Sequence, residues 1–125
     1  MKYLSPNCWN LQNDHQDEET DVFAEEGDLV FEIGGIFFLI QRENNFNNVV
    51  CKRIVSSKMT FQDVVVEFRD VMKECEIECI RVEGNNRRYG FLLKMLPKIF
   101  PNTQVGIVKS NESDEFRNIY YIKCY

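Results

Sequence analysis

The chain is poor in the residues from which most catalytic centres are built. Its one histidine, His15, sits in an acidic stretch. No Ser-His-Asp or Cys-His arrangement can therefore form on patterned sequence, which argues against nucleophilic hydrolase chemistry. Glycine is scarce, at six residues, and none of the six falls in a P-loop or dinucleotide-binding pattern: Gly34-Gly35 reads as a hairpin turn and Gly84 as a strand end. Nucleotide hydrolysis is unsupported. The five cysteines, Cys8, Cys51, Cys75, Cys79 and Cys124, are odd in number and follow no zinc spacing, so they read as reduced thiols and no metal site is expected. Long apolar runs are missing too. The longest, Ile36 to Ile40, is far too short to span a bilayer, and the opening MKYLSPNCWN has no apolar signal core. The expectation is a cytoplasmic protein, or one made in a host cytoplasm if the source is viral.

What is present is a packed globule. The 125 residues are 44% hydrophobic and 13% aromatic, with ten Phe, which suits one domain with an aromatic-rich core. The net charge of -5 is unevenly placed. Residues 1–28 hold eight acidic groups against the single base Lys2, leaving 12 acidic and 14 basic groups in a body of about +2. This balance argues against general nucleic-acid binding, which draws its affinity from Lys and Arg on phosphates. An acidic leader could instead imitate a nucleic acid. Within that leader Leu4, Trp9 and Leu11 could add an edge strand or dock on the core, while Asp14 to Asp28 has little periodicity. The domain proper is expected over 29–125.

Leu29 to Ile33 and Ile36 to Gln41 flank Gly34-Gly35, a two-residue loop able to take the positive φ of a type I′ or II′ hairpin. The polar Asn44 to Asn48 reads as a loop and Val49 to Val55 as a third strand. Thr60 followed by Asp63 resembles a capping box, and Phe61, Val64, Val65, Phe68, Met72 and Cys75 recur at helical spacing, predicting a helix from about Phe61 to Cys75. Ile77 to Val82 reads as a buried central strand. A second helix follows from Asn86 or Arg87 to Pro97, with Tyr89, Leu92, Leu93 and Leu96 on one face. Gln104 to Lys109 and Asn118 to Cys124 close the chain as strands. The order is β-β-β-α-β-α-β-β, an α+β domain with a mixed, mostly antiparallel sheet and two helices packed on it.

The turn from the central strand into the second helix, Gly84-Asn85-Asn86-Arg87-Arg88, brings two arginines and free backbone N–H groups to one place. Arg suits bidentate contact with phosphate or carboxylate. Cations at a helix N-terminus oppose its dipole by a few tenths of a kcal/mol, so an anion would compensate them. Glu83 or the acidic leader could serve equally well.

The element order resembles the core of the GNAT (Gcn5-related N-acetyltransferase) fold over about Leu29 to Tyr125, with one loose local match: a strand, then Asn85, then Tyr89-Gly90-Phe91, similar to the asparagine and Tyr-x-x-Gly-Phe region of that family. The family's Gln/Arg-x-x-Gly-x-Gly/Ala loop, whose glycines let backbone N–H groups approach a pyrophosphate, is absent. The corresponding segment, Ile54 to Thr60, has no glycine. The chain thus resembles divergent, phage-type members that lack this loop.

The resemblance implies acetyl-CoA as cofactor, held by Ser56, Ser57 and Lys58 with Asn85, Arg87 and Arg88, and an amine substrate. Tyr89 becomes the general acid toward a departing thiolate and Glu83 the base for the incoming amine. Packing competes with these roles: Tyr89 is also placed as the first core contact of the second helix, and Glu83 as a solvated charge at a strand end. The other functional reading is a non-catalytic interaction module of viral or mobile-element origin, an inhibitor of a host system, whose acidic leader or basic turn engages a protein. Tyr120, Tyr121 and Tyr125 offer an aromatic edge for a homodimer, or simply fill the core.

Overall fold

The computed structural model describes residues 1–12, 22–43, 46–53, 58–77, 79–84, 104–109 and 118–123. They form an α+β structure around one mixed sheet. In chain order the elements are β1 (Lys2–Leu4), α1 (Pro6–Asn10), β2 (Leu29–Ile33), β3 (Ile36–Arg42), β4 (Asn47–Arg53), α2 (Phe61–Glu74), β5 (Cys79–Gly84), β6 (Gln104–Lys109) and β7 (Asn118–Lys123). The strands lie in the order β1-β2-β3-β4-β5-β7-β6. Every neighbouring pair is antiparallel except β4 and β5.

The sequence order β-β-β-α-β-α-β-β gains two elements at its start, one of them the edge strand that the segment around Leu4 could add. Lys2–Leu4 is an edge strand of the same sheet, paired to β2, and Pro6–Asn10 is a short helix. The third strand begins at Asn47, two residues before the expected Val49, and is described to Arg53; residues 54 and 55 of its expected end lie outside the described residues. The cause lies across the sheet: Asn47 Nδ2 donates to the Cys79 carbonyl at 3.1 Å and Asn48 Oδ1 accepts from Arg81 at 3.0 Å, so residues that look like a polar loop are satisfied by β5. The central strand starts at Cys79, not Ile77, because Ile77 is spent on closing α2. The helix expected from residue 86 or 87 to Pro97 lies outside the described residues, as do Tyr89 and Tyr125.

The hairpin forms as the sequence predicts. Gly34 and Gly35 have φ of 56° and 79°, and β2 and β3 pair from Ile33↔Ile36 to Leu29↔Ile40. Strand alternation then divides the apolar residues between two faces. Phe31, Ile33, Phe38, Ile40, Val49, Cys51, Ile80 and Val82 pack against α2, which contributes Val64, Val65, Phe68, Val71 and Met72. On the opposite face Val30, Leu39 and Val50 are covered by Trp9 of α1 and by Ala24.

The end of α2 carries a local strain. The Ile77 N–H reaches the Met72 carbonyl at 2.8 Å and the Glu76 N–H reaches that of Lys73 at 3.3 Å, the bonding pattern of a Schellman cap. The left-handed position is taken by Glu76, with φ of 56°, where a Cβ is penalised and glycine is preferred. Glu76→Gly is expected to raise stability by about 0.5–1 kcal/mol. Urea denaturation should show a higher midpoint at unchanged slope, whereas Glu76→Ala, which keeps the Cβ, should leave the midpoint in place.

The edge strand is tied to the same helix end. Tyr3, opposite Phe31 in the ladder, donates its hydroxyl to Glu74 Oε2 at 3.1 Å and lies 3.9 Å from Cys75 Sγ. Desolvation, the contact with Cys75 and the bond to the Glu74 carboxylate push its phenol up to about 12. Since the folded state holds this proton more tightly than an unfolded chain with a phenol near pH 10, the contribution is full below about pH 10 and is lost as the pH rises through about 12. Thermal midpoints of the wild type and Tyr3→Phe, compared across that range, should converge from a wild-type advantage. A gap that stays constant would remove the phenol from the account.

Candidate functional site at the ends of β4 and β5

Parallel neighbours place their C-terminal ends on the same side of a sheet, and among the described strands β4 and β5 are the one parallel pair. Their ladder is short: Asn47↔Ile80, Asn48↔Arg81 and Val49↔Val82. At the opposite, N-terminal end the strands are stitched by the Asn47 and Arg81 hydrogen bonds, with the Arg81 guanidinium carbon 5.8 Å from the Phe46 ring centroid.

Beyond Val49 and Val82 the ladder stops, although both strands continue. β4 runs on to Arg53 while still paired with β3 through Cys51↔Phe38, Lys52↔Phe37 and Arg53↔Ile36. β5 runs on to Gly84, still paired with β7 through Glu83↔Ile119 and Gly84↔Asn118. Each strand is therefore held on its outer side while the ladder between the two has ended.

The chain from β4 into α2 leads to the same end of the sheet. Lys58 is exposed there. Met59 is half-buried against the main core and seats on the hairpin: a Cβ built on Gly34 would lie 3.0 Å from Met59 Sδ and 3.1 Å from Val64 Cγ2, so the glycine at the β2–β3 turn also makes room for the entry to α2. Thr60 caps the helix, its Oγ1 accepting from the Asp63 N–H at 3.2 Å and its carbonyl from the Val64 N–H at 3.0 Å. Asp63 puts a carboxylate in the first turn, where it favours the helix dipole.

Of the residues singled out in the sequence, Lys58 and the backbone of Glu83 are thus brought to one end of the sheet, next to the start of α2. Ser56, Ser57, Asn85, Arg87, Arg88 and Tyr89 lie outside the described residues. Sequence reading missed the Asn47, Asn48 and Arg81 stitching. The signal was available as two asparagines flanked by apolar residues, but it becomes legible only once β5 is known to lie alongside. Among the described residues, no group of three His, Cys, Asp or Glu side chains could hold a metal ion, and no helix is long and apolar enough to cross a membrane. No family model matches the chain, and neither a curated protein nor a solved structure shows significant similarity to it.

Proposed function

We propose that this chain is a GNAT-like domain that binds an acyl-CoA at the C-terminal ends of β4 and β5 and transfers the acyl group to an amine. The supporting observation is the β4–β5 ladder, which ends after Val49↔Val82 while both strands continue. A parallel pair in the middle of a sheet whose ladder is this short suits a site for an extended, amide-containing thioester arm. Ser56, Ser57 and Lys58 take the place of the glycine loop beside the diphosphate. In this reading the amine nitrogen attacks the thioester carbonyl, a C–N bond forms and the C–S bond breaks. Glu83 accepts the proton of the amine and Tyr89 supplies one to the departing thiolate. Arg87, Arg88 and Asn85 hold the anionic end of the cofactor.

Calorimetric titration with acetyl-CoA tests this proposal. Saturable binding is expected, weakened about tenfold or more by Lys58→Glu, since a lost charge-assisted contact costs about 1.5–3 kcal/mol. Absence of binding at millimolar CoA would end the acyl-CoA reading. The second reading, a non-catalytic interaction module, is favoured by the absence of glycine from Ile54 to Thr60.

A further inference from the structure

The two most exposed large apolar side chains among the described residues are Leu11, 67% exposed, and Phe23, 64% exposed. Both lie in the leader, and both sit on backbone that is firmly held. Trp9, two residues before Leu11, is fully buried and donates Nε1 to the Val22 carbonyl at 2.7 Å. Asn10, next to Leu11, pairs with Ala24, next to Phe23, in both directions: Nδ2 donates to the Ala24 carbonyl at 2.9 Å and Oδ1 accepts the Ala24 N–H at 2.7 Å. This two-point contact acts like one rung of a ladder and keeps the backbones at Leu11 and Phe23 close to each other. Gln41 of β3 adds a bond to the Phe23 carbonyl at 3.3 Å and one to Asp28 at 3.1 Å. Asp28 in turn accepts the Glu25 N–H at 2.9 Å. The exposure of the two apolar residues is therefore a property of a fixed scaffold.

Carboxylates stand next to Phe23. Glu25 and Glu26 are exposed on the same segment as Phe23, and residues 1–28 carry eight acidic groups against Lys2 alone. An apolar anchor pair with exposed carboxylates on the Phe23 segment is complementary to a cationic segment that carries apolar residues of its own: the apolar contacts supply affinity and the charges supply selection and encounter rate. Because the presenting backbone is already ordered, little entropy is lost on its side of the contact.

We propose that Leu11 and Phe23, with Glu25 and Glu26, form a docking surface for a Lys/Arg-rich amphipathic segment of a partner protein. The proposal deepens the interaction reading by giving it a surface and a partner chemistry, and it does not depend on acyl transfer.

The test uses the full chain and a fluorescein-labelled amphipathic peptide made of Lys and Leu, read by fluorescence anisotropy at physiological salt. Saturable binding is expected. Replacing both Leu11 and Phe23 with Ser should weaken it about tenfold or more while the thermal midpoint stays put, and oligolysine should bind more weakly and be displaced by salt. Glu25→Lys with Glu26→Lys should weaken capture of the amphipathic peptide as well. Equal affinity for the two peptides, or no change in the Leu11/Phe23 double variant, overturns the proposal. A dimer in sedimentation velocity that the double variant abolishes overturns it in favour of a second copy as the occupant. Acetyl-CoA turnover by the wild type would reject the non-catalytic reading alone, leaving the peptide result to decide the surface.

Discussion

Phe68→Ala should lower the stability of this domain by about 3–5 kcal/mol, the usual cost of truncating a fully buried aromatic. Phe68 is 0% exposed at the middle of α2. Its ring lies 5.1 Å from that of Phe38 and 6.0 Å from that of Phe31, and the last two stack at 5.2 Å across the β2–β3 pair. Removing it breaks two of the three contacts in this cluster and leaves a cavity between helix and sheet. Two further features make the loss hard to absorb. Val64, Val65 and Val66 give α2 a low intrinsic helix preference, so packing must supply most of its stability. In addition α2 is the connection between β4 and β5, whose own ladder is only three pairs long. Against a total of about 5–15 kcal/mol for a domain of this kind, the variant should be close to unfolding at ambient temperature. Urea denaturation followed by far-ultraviolet dichroism gives the number. Phe68→Leu, which refills most of the space, should cost less than about 1.5 kcal/mol. A loss under 1 kcal/mol for the alanine variant would mean that the aromatic cluster is not what holds α2 to the sheet.

The parts of this fold that were legible in the sequence are those whose signals are local. Gly34-Gly35 announces the hairpin because positive φ at two successive positions is a demand that few residues other than glycine meet. The start of α2 is announced by Thr60 and Asp63, and the observed cap bond runs between those two residues. The helical spacing runs to about Cys75, which is the residue that caps α2 after Glu74, while the left-handed Glu76 that closes it gives no signal of the kind glycine would. The shifted starts of β4 and β5 have a non-local cause. Asn47 and Asn48 are polar, and only the Cys79 carbonyl and the Arg81 guanidinium, more than thirty residues away, make them strand residues. The same limit applies to the candidate site. Lys58 and Glu83 could be nominated from residue type and spacing, but that the chain brings them to one end of the sheet follows from the parallel pairing of β4 and β5, which no short-range pattern encodes. In the leader, Leu4, Trp9 and Leu11 offered an edge strand or a dock on the core, and both occur: Leu4 lies in the three-residue edge strand and Trp9 packs on the sheet, while the Asn10 amide that also fixes the segment gave no signal.

Trp9→Ala is expected to have the second large effect, and to act on the opposite face of the sheet. The indole is 0% exposed, packs with Ala24, Val30, Leu39 and Val50, donates to the Val22 carbonyl at 2.7 Å and carries the Lys52 ammonium 4.5 Å above its ring. Truncation removes all of these together. The packing loss alone is of the order of 3–5 kcal/mol, and the orphaned carbonyl and displaced cation add to it. Trp9→Phe separates the contributions: the ring is retained and the hydrogen bond is lost, so the cost should fall to about 1–3 kcal/mol. The location of the damage is as informative as its size. Val30, Leu39 and Val50 lose their cover when α1 and Ala24 come away, so the alanine variant should bind a hydrophobic dye and be cut by protease within the leader before the body is cleaved. Trp9 is the sole tryptophan and fully buried, so its emission should be blue-shifted in the wild type and report leader docking directly. During urea denaturation that emission should move together with the dichroism of α2 if the leader and sheet unfold as one unit. Emission that shifts at a lower urea concentration than the dichroism would instead show that the leader leaves the sheet as a separate step.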